Sequence, residues 1–90
     1  MKVRFFLHAA EVSAAEAELH FQNWALDAAQ EDNTLLLKAT GNDRSALGAS
    51  RVFNWCVTQT GADGLTMRLA IDMCVRASGI WVCRDGAYYG

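Results

Sequence analysis

Proline is absent from this chain, and cysteine is scarce, with three in 90 residues. Without proline, repeats or low-complexity tracts nothing marks a linker, so residues 1–90 read as a single domain. Cys56, Cys74 and Cys83 are too few, and odd in number, for a disulfide framework, and a reduced cytoplasmic setting is the expectation. Long apolar runs are missing too; none approaches the roughly 20 residues that span a bilayer. The opening MKVRFFLHAAEVSAA has the outline of a secretory leader, but His8 and Glu11 interrupt its short apolar run, and no leader is expected.

Catalytic signatures are equally lacking. The chain has no G-x-S-x-G, P-loop, G-x-G-x-x-G or H-E-x-x-H sequence. Cys56, Cys74, Cys83, His8 and His20 fall at neither C-x-x-C nor H-x-x-x-H spacing, so no metal or other cofactor is expected. A domain of this size also leaves little volume for a substrate pocket. The expectation is a protein that is not an enzyme.

What is present begins with charge. The net charge of −2 hides a polarised chain. Glu11, Glu16, Glu18, Asp27, Glu31 and Asp32 occur in residues 11 to 32 without a single lysine or arginine. From Arg44 onward Arg51, Arg68, Arg76 and Arg84 join it against Asp63, Asp72 and Asp85. Such asymmetry bears on partners rather than on fold.

Residues 2 to 9 alternate as a short strand with Val3, Phe5 and Leu7 inward. Ser13-Ala-Ala-Glu16 matches a capping box, with Val12 as its hydrophobic staple. Residues 14 to 30 are rich in helix formers, although the alternation of residues 15 to 22 leaves a strand as the rival reading. Residues 34 to 40 (TLLLKAT) read as a strand closed by a turn at 41–43. Asp43 or Ser45 caps a second helix, in which Ala49, Phe53, Cys56 and Val57 recur at helical spacing.

The strongest pattern is the strict alternation of Leu65, Met67, Leu69, Ile71, Met73, Val75 and Ala77 with more polar residues. A period of two predicts a long strand with one buried face. Ser78-Gly79 and Asp85-Gly86 then predict two tight turns and an antiparallel meander over 65–77, 80–84 and 87–90. In that register Cys74 opposes Cys83, Arg76 stands beside Trp81, and Tyr88 lies next to Cys83.

The predicted fold is α+β, with two helices on one face of a four- to five-stranded mixed sheet ending in an antiparallel meander. The alternative is an antiparallel sheet with one covering helix. Both bury Val3, Phe5, Leu7, Leu35, Leu37, Phe53, Val57, Leu65, Leu69, Ile71, Met73, Val75, Ile80 and Val82. The favoured function is a protein–protein interaction module, a small inhibitor or adaptor acting on nucleic-acid-handling machinery. Its acidic stripe (Glu16, Asp27, Glu31, Asp32) would engage a basic protein partner. One alternative is single-stranded nucleic-acid binding through an outer sheet face of Arg4, Arg68, Arg76, Trp81 and Tyr88. Another is a structural homodimer packed through that face. A redox pair of Cys74 and Cys83 is the remaining candidate site; no membrane partner is expected.

Overall fold

The computed structural model describes residues 2–61 and 63–89. Four helices hold more than half of the chain: α1 (Ala14–Gln30), α2 (Thr34–Thr40), α3 (Ala46–Thr58) and α4 (Gly64–Ala77). Two strands precede them, β1 (Val3–Leu7) and β2 (Ala10–Val12), and two follow, β3 (Trp81–Arg84) and β4 (Ala87–Tyr89). They form one antiparallel sheet in the order β2-β1-β3-β4. Four helices and a purely antiparallel sheet replace both architectures expected from sequence. No described helix is long and apolar enough to cross a membrane.

The amino-terminal expectations hold locally. Ser13 caps α1, its hydroxyl accepting from the Glu16 backbone N–H at 3.1 Å, and Val12 packs against the core. The segment 14–30 is helical, as cap and propensity favour. Ser45 caps α3 through the Gly48 N–H. Asp43 braces that cap by accepting from both the Ser45 N–H and hydroxyl.

Residues 34–40 are a helix rather than a strand. Asn33 accepts from the Leu36 N–H at 3.0 Å, and Gly41 closes the helix in the left-handed conformation. These are ordinary helix-end signals. The burial of Leu36 and Ala39 follows a spacing of three, and Leu35 lies at the surface.

The larger correction concerns residues 65–77, which form α4. Its buried residues are Ala70, Ile71, Cys74 and Val75, with Met67 partly buried, a recurrence of three to four that a strand cannot produce. Leucine, methionine, alanine and arginine favour helix, and thirteen residues exceed the usual strand length. Every second member of the alternating set therefore points outward: Leu65 is 73%, Leu69 53% and Met73 49% exposed. Ser78-Gly79 ends this helix instead of turning a hairpin, with Ser78 N–H bonded to Cys74 O and Gly79 N–H to Arg76 O. A glycine at φ +89° serves a helix end as well as a turn. Asp85-Gly86 does turn the β3–β4 hairpin, both residues having positive φ.

The core lies between the sheet's inner face and the helices. Phe5 stacks on Phe53 of α3 with ring centroids 5.4 Å apart, and Phe53 in turn meets Phe21 of α1 at 6.0 Å. Ile80 and Val82 complete it from β3 and its approach. The helix α2 packs chiefly against α4 and α3.

Candidate functional site

Helix α1 presents its exposed face as a mixed surface. Glu16, Leu19, Asn23, Leu26, Asp27, Gln30 and Glu31 are all exposed, and their three-, four- and seven-residue spacings place them along one side. Leu19 is 58% and Leu26 37% exposed. The helical wheel of acidic side chains thus contains apolar anchors that the charge pattern alone did not reveal. Their signal was the seven-residue spacing of the two leucines within the acidic stretch.

Helix α3 continues this surface. Gln22 donates to the Ser50 hydroxyl, and Arg44, just before α3, donates to the Ala29 carbonyl. As positions advance along α1 they retreat along α3, so the two helices run antiparallel. That register puts Leu26 level with Leu47, which is 66% exposed. Leu19, Leu26 and Leu47 are thus three exposed leucines on two helices that pack side by side.

The acidic residues divide in the structure. Asp32 forms an ion pair with Arg44 at 2.8 Å, and the same guanidinium reaches a carbonyl in the last turn of α1. A cation at that end offsets the macrodipole that otherwise disfavours carboxylates there. The compensation comes from twelve residues away in sequence. Asp27 and Glu31 take part in no ion pair among the described residues, and Glu16 is held at the amino end by the cap. His20 turns from the stripe and bonds the Ser78 carbonyl at 2.7 Å.

The alternative surface expected from sequence is dispersed. Arg4 and Trp81 lie on the outer face of the sheet, where register aligns Glu11, Phe6 and Trp81 in one row and Arg4, Cys83 and Tyr88 in the next. The side chain of Tyr88 falls outside the described set. Arg68 and Arg76 belong to α4 instead, so Arg76 is not Trp81's neighbour on a strand. Arg4 is engaged bidentately by Glu11, at 2.8 and 3.2 Å, and lies 5.1 Å from the Phe6 ring centroid. Those hydrogen bonds hold the Glu11 carboxyl below its ordinary range. The sheet's outer face keeps an open groove of about 490 Å³ lined by Phe6, His8, Ala9, Gly79 and Trp81.

The expected cysteine pair is separated. Cys74 sits on the inner side of α4 within the core, whereas Cys83 lies on the outer-face register of β3. All three cysteines are free and buried. Burial pushes the thiols of Cys56 and Cys74 up to about 11; the neighbouring Arg84 guanidinium only partly opposes this at Cys56. Protonated thiols are poor nucleophiles. Beside Cys56, a cavity of about 40 Å³ bounded by Trp55, Gln59, Arg68, Ile71 and Asp72 is of water size. Among the described residues no three His, Cys, Asp or Glu side chains cluster to hold a metal ion.

Comparison with protein-family models, with curated proteins and with solved structures finds no match to this chain.

Proposed function

We propose that the protein is a non-enzymatic interaction module whose α1 face engages a basic surface on a partner protein. The observation that carries this reading is the exposure of Leu19 and Leu26 among Glu16, Asp27 and Glu31. Carboxylates steer a cationic partner and fix its orientation, while the leucines supply the burial that holds it. Completely burying a leucine is worth about 1.5–3 kcal/mol, more than an exposed ion pair contributes. A small inhibitor or adaptor that occludes a basic surface of nucleic-acid-handling machinery fits this division of labour. We place it in the cytoplasm, where three free buried thiols remain reduced.

The test is affinity capture from the source cell's lysate, with nuclease, comparing the native chain with a Glu16→Lys, Asp27→Lys, Glu31→Lys triple variant. A basic protein held by the native chain through nuclease treatment, and lost from the triple variant while circular dichroism is unchanged, supports the reading. Binding by the triple variant with undiminished affinity overturns it.

A further inference from the structure

Among the described residues another exposed apolar helix face is bordered by charge of the opposite sign. Leu65, Leu69 and Met73 of α4 recur every four residues and are all substantially exposed. Arg68 and Arg76 border them, with Asp72 between the two arginines and turned toward Cys56, its carboxylate 4.0 Å from the Cys56 sulfur. Apolar anchors with a cationic border on α4 thus answer apolar anchors with an acidic border on α1. The stripes also agree in length: Leu65 to Met73 spans about 12 Å of helix and Leu19 to Leu26 about 10 Å.

The α1 and α4 stripes are placed so that one chain cannot satisfy both by folding on itself. Helix α3 packs against both α1 and α4, and the leucines of both stripes stay exposed, so neither stripe covers the other within one chain. We infer that the α4 face of one copy docks on the α1 face of a second copy, in a head-to-tail arrangement. This rests on the reading of α1 as a docking surface and names an occupant for it. Because the two surfaces differ, a docked pair retains one open α1 face on one copy and one open α4 face on the other, and the contact propagates into rings or chains. A foreign basic partner would then compete with α4 for α1, so that self-association and partner binding exclude each other.

Sedimentation velocity across a concentration series tests the inference with Leu19→Glu and Leu69→Glu, both at exposed positions. The native chain is expected to associate beyond a dimer as concentration rises, and to do so less at high salt. Each variant alone should associate at least about tenfold more weakly, with its circular dichroism unchanged. An equimolar mixture should stop at a one-to-one dimer, because one intact α1 face meets one intact α4 face and the remaining faces are blocked. A native chain that stays monomeric at millimolar concentration overturns the inference. So does an assembly that both variants leave intact, or a mixture that forms no dimer. If the native chain is monomeric yet captures a basic partner that Leu19→Glu releases, the self-docking inference fails while the reading of α1 stands. If neither occurs, both fail.

Discussion

His20 on α1 donates through Nε2 to the carbonyl oxygen of Ser78, 2.7 Å away and 58 residues later in the chain. Ser78 is buried, and its hydroxyl is already committed to the Val75 carbonyl at 2.6 Å. The imidazole therefore ties the first helix to the carboxyl end of the last one, at the point where the chain leaves α4 for β3. A carbonyl at a helix end has no partner within the helix, so losing the imidazole leaves it unsatisfied in a partly buried setting. His20→Ala is expected to lower unfolding stability by about 1–3 kcal/mol, read as a lower urea midpoint. His20→Gln, which keeps a donor, should recover part of the loss. A His20→Ala midpoint equal to that of the native chain would show the bond to be energetically idle.

Two backbone positions should respond with opposite signs. Ala9 occupies the β1–β2 turn with φ 65°, a conformation that costs an L-residue about 1 kcal/mol and glycine almost nothing. Ala9→Gly should raise stability by up to about 1 kcal/mol, offset in part by the freer unfolded chain. Gly61 has φ +83°, and a Cβ there would collide with the Trp55 indole at Nε1. Gly61→Ala should destabilise by more than about 1 kcal/mol and alter the indole fluorescence. A thermal midpoint for Ala9→Gly below that of the native chain would contradict the first argument, and one for Gly61→Ala equal to or above it would contradict the second.

Stability should fall in alkali through the buried thiols. Cys56 and Cys74 titrate near 11 in the folded chain, against about 8.5 for a free thiol. Below about pH 8.5 both states keep the protons and the full contribution is present. Between there and about 11 the unfolded chain ionises first, which favours unfolding by an amount of order 2 kcal/mol per thiol. Urea midpoints at pH 7, 9 and 10.5 should decline, and the decline should shrink in Cys74→Ala. At pH 8 a thiol reagent should modify these two cysteines far more slowly in the folded protein than in denaturant. Prompt modification of all three in the native state would refute the assignment.

Local signals were legible where the residue's own chemistry decides its conformation. Ser13 and Ser45 cap helices, and Asp85-Gly86 turns a hairpin, because hydroxyl oxygens and glycine act on neighbouring backbone. Asn33 and Gly41 bracket α2 just as clearly, but three consecutive leucines are equally the mark of a buried strand. In Leu65 to Ala77 the alternation was real and its cause was not strand burial. A helix buries residues three and four apart, so half of an alternating apolar set falls inside and half outside. Hydrophobicity without a record of what faces what cannot separate these cases.

The candidate surface divides in the same way. The acidic composition of α1 was evident in the chain, including Glu16, Asp27 and Glu31, and their exposure follows from helical spacing. That Asp32 is neutralised by Arg44, and that Leu26 stands level with Leu47, depended on how α3 lies against α1. The caps, the polarised charge and the stretch that forms α1 are legible in the chain alone, since these rest on interactions within a turn or two of backbone. Tertiary packing alone decided the fate of Arg68, Arg76, Cys74 and Cys83. Once residues 64–77 coil into α4, Cys74 turns into the core, the two arginines border an exposed apolar stripe, and Cys83 faces the other side of a sheet. Which of two periodicities wins is set by the surface available to bury it, and that surface is built from residues far away in the chain.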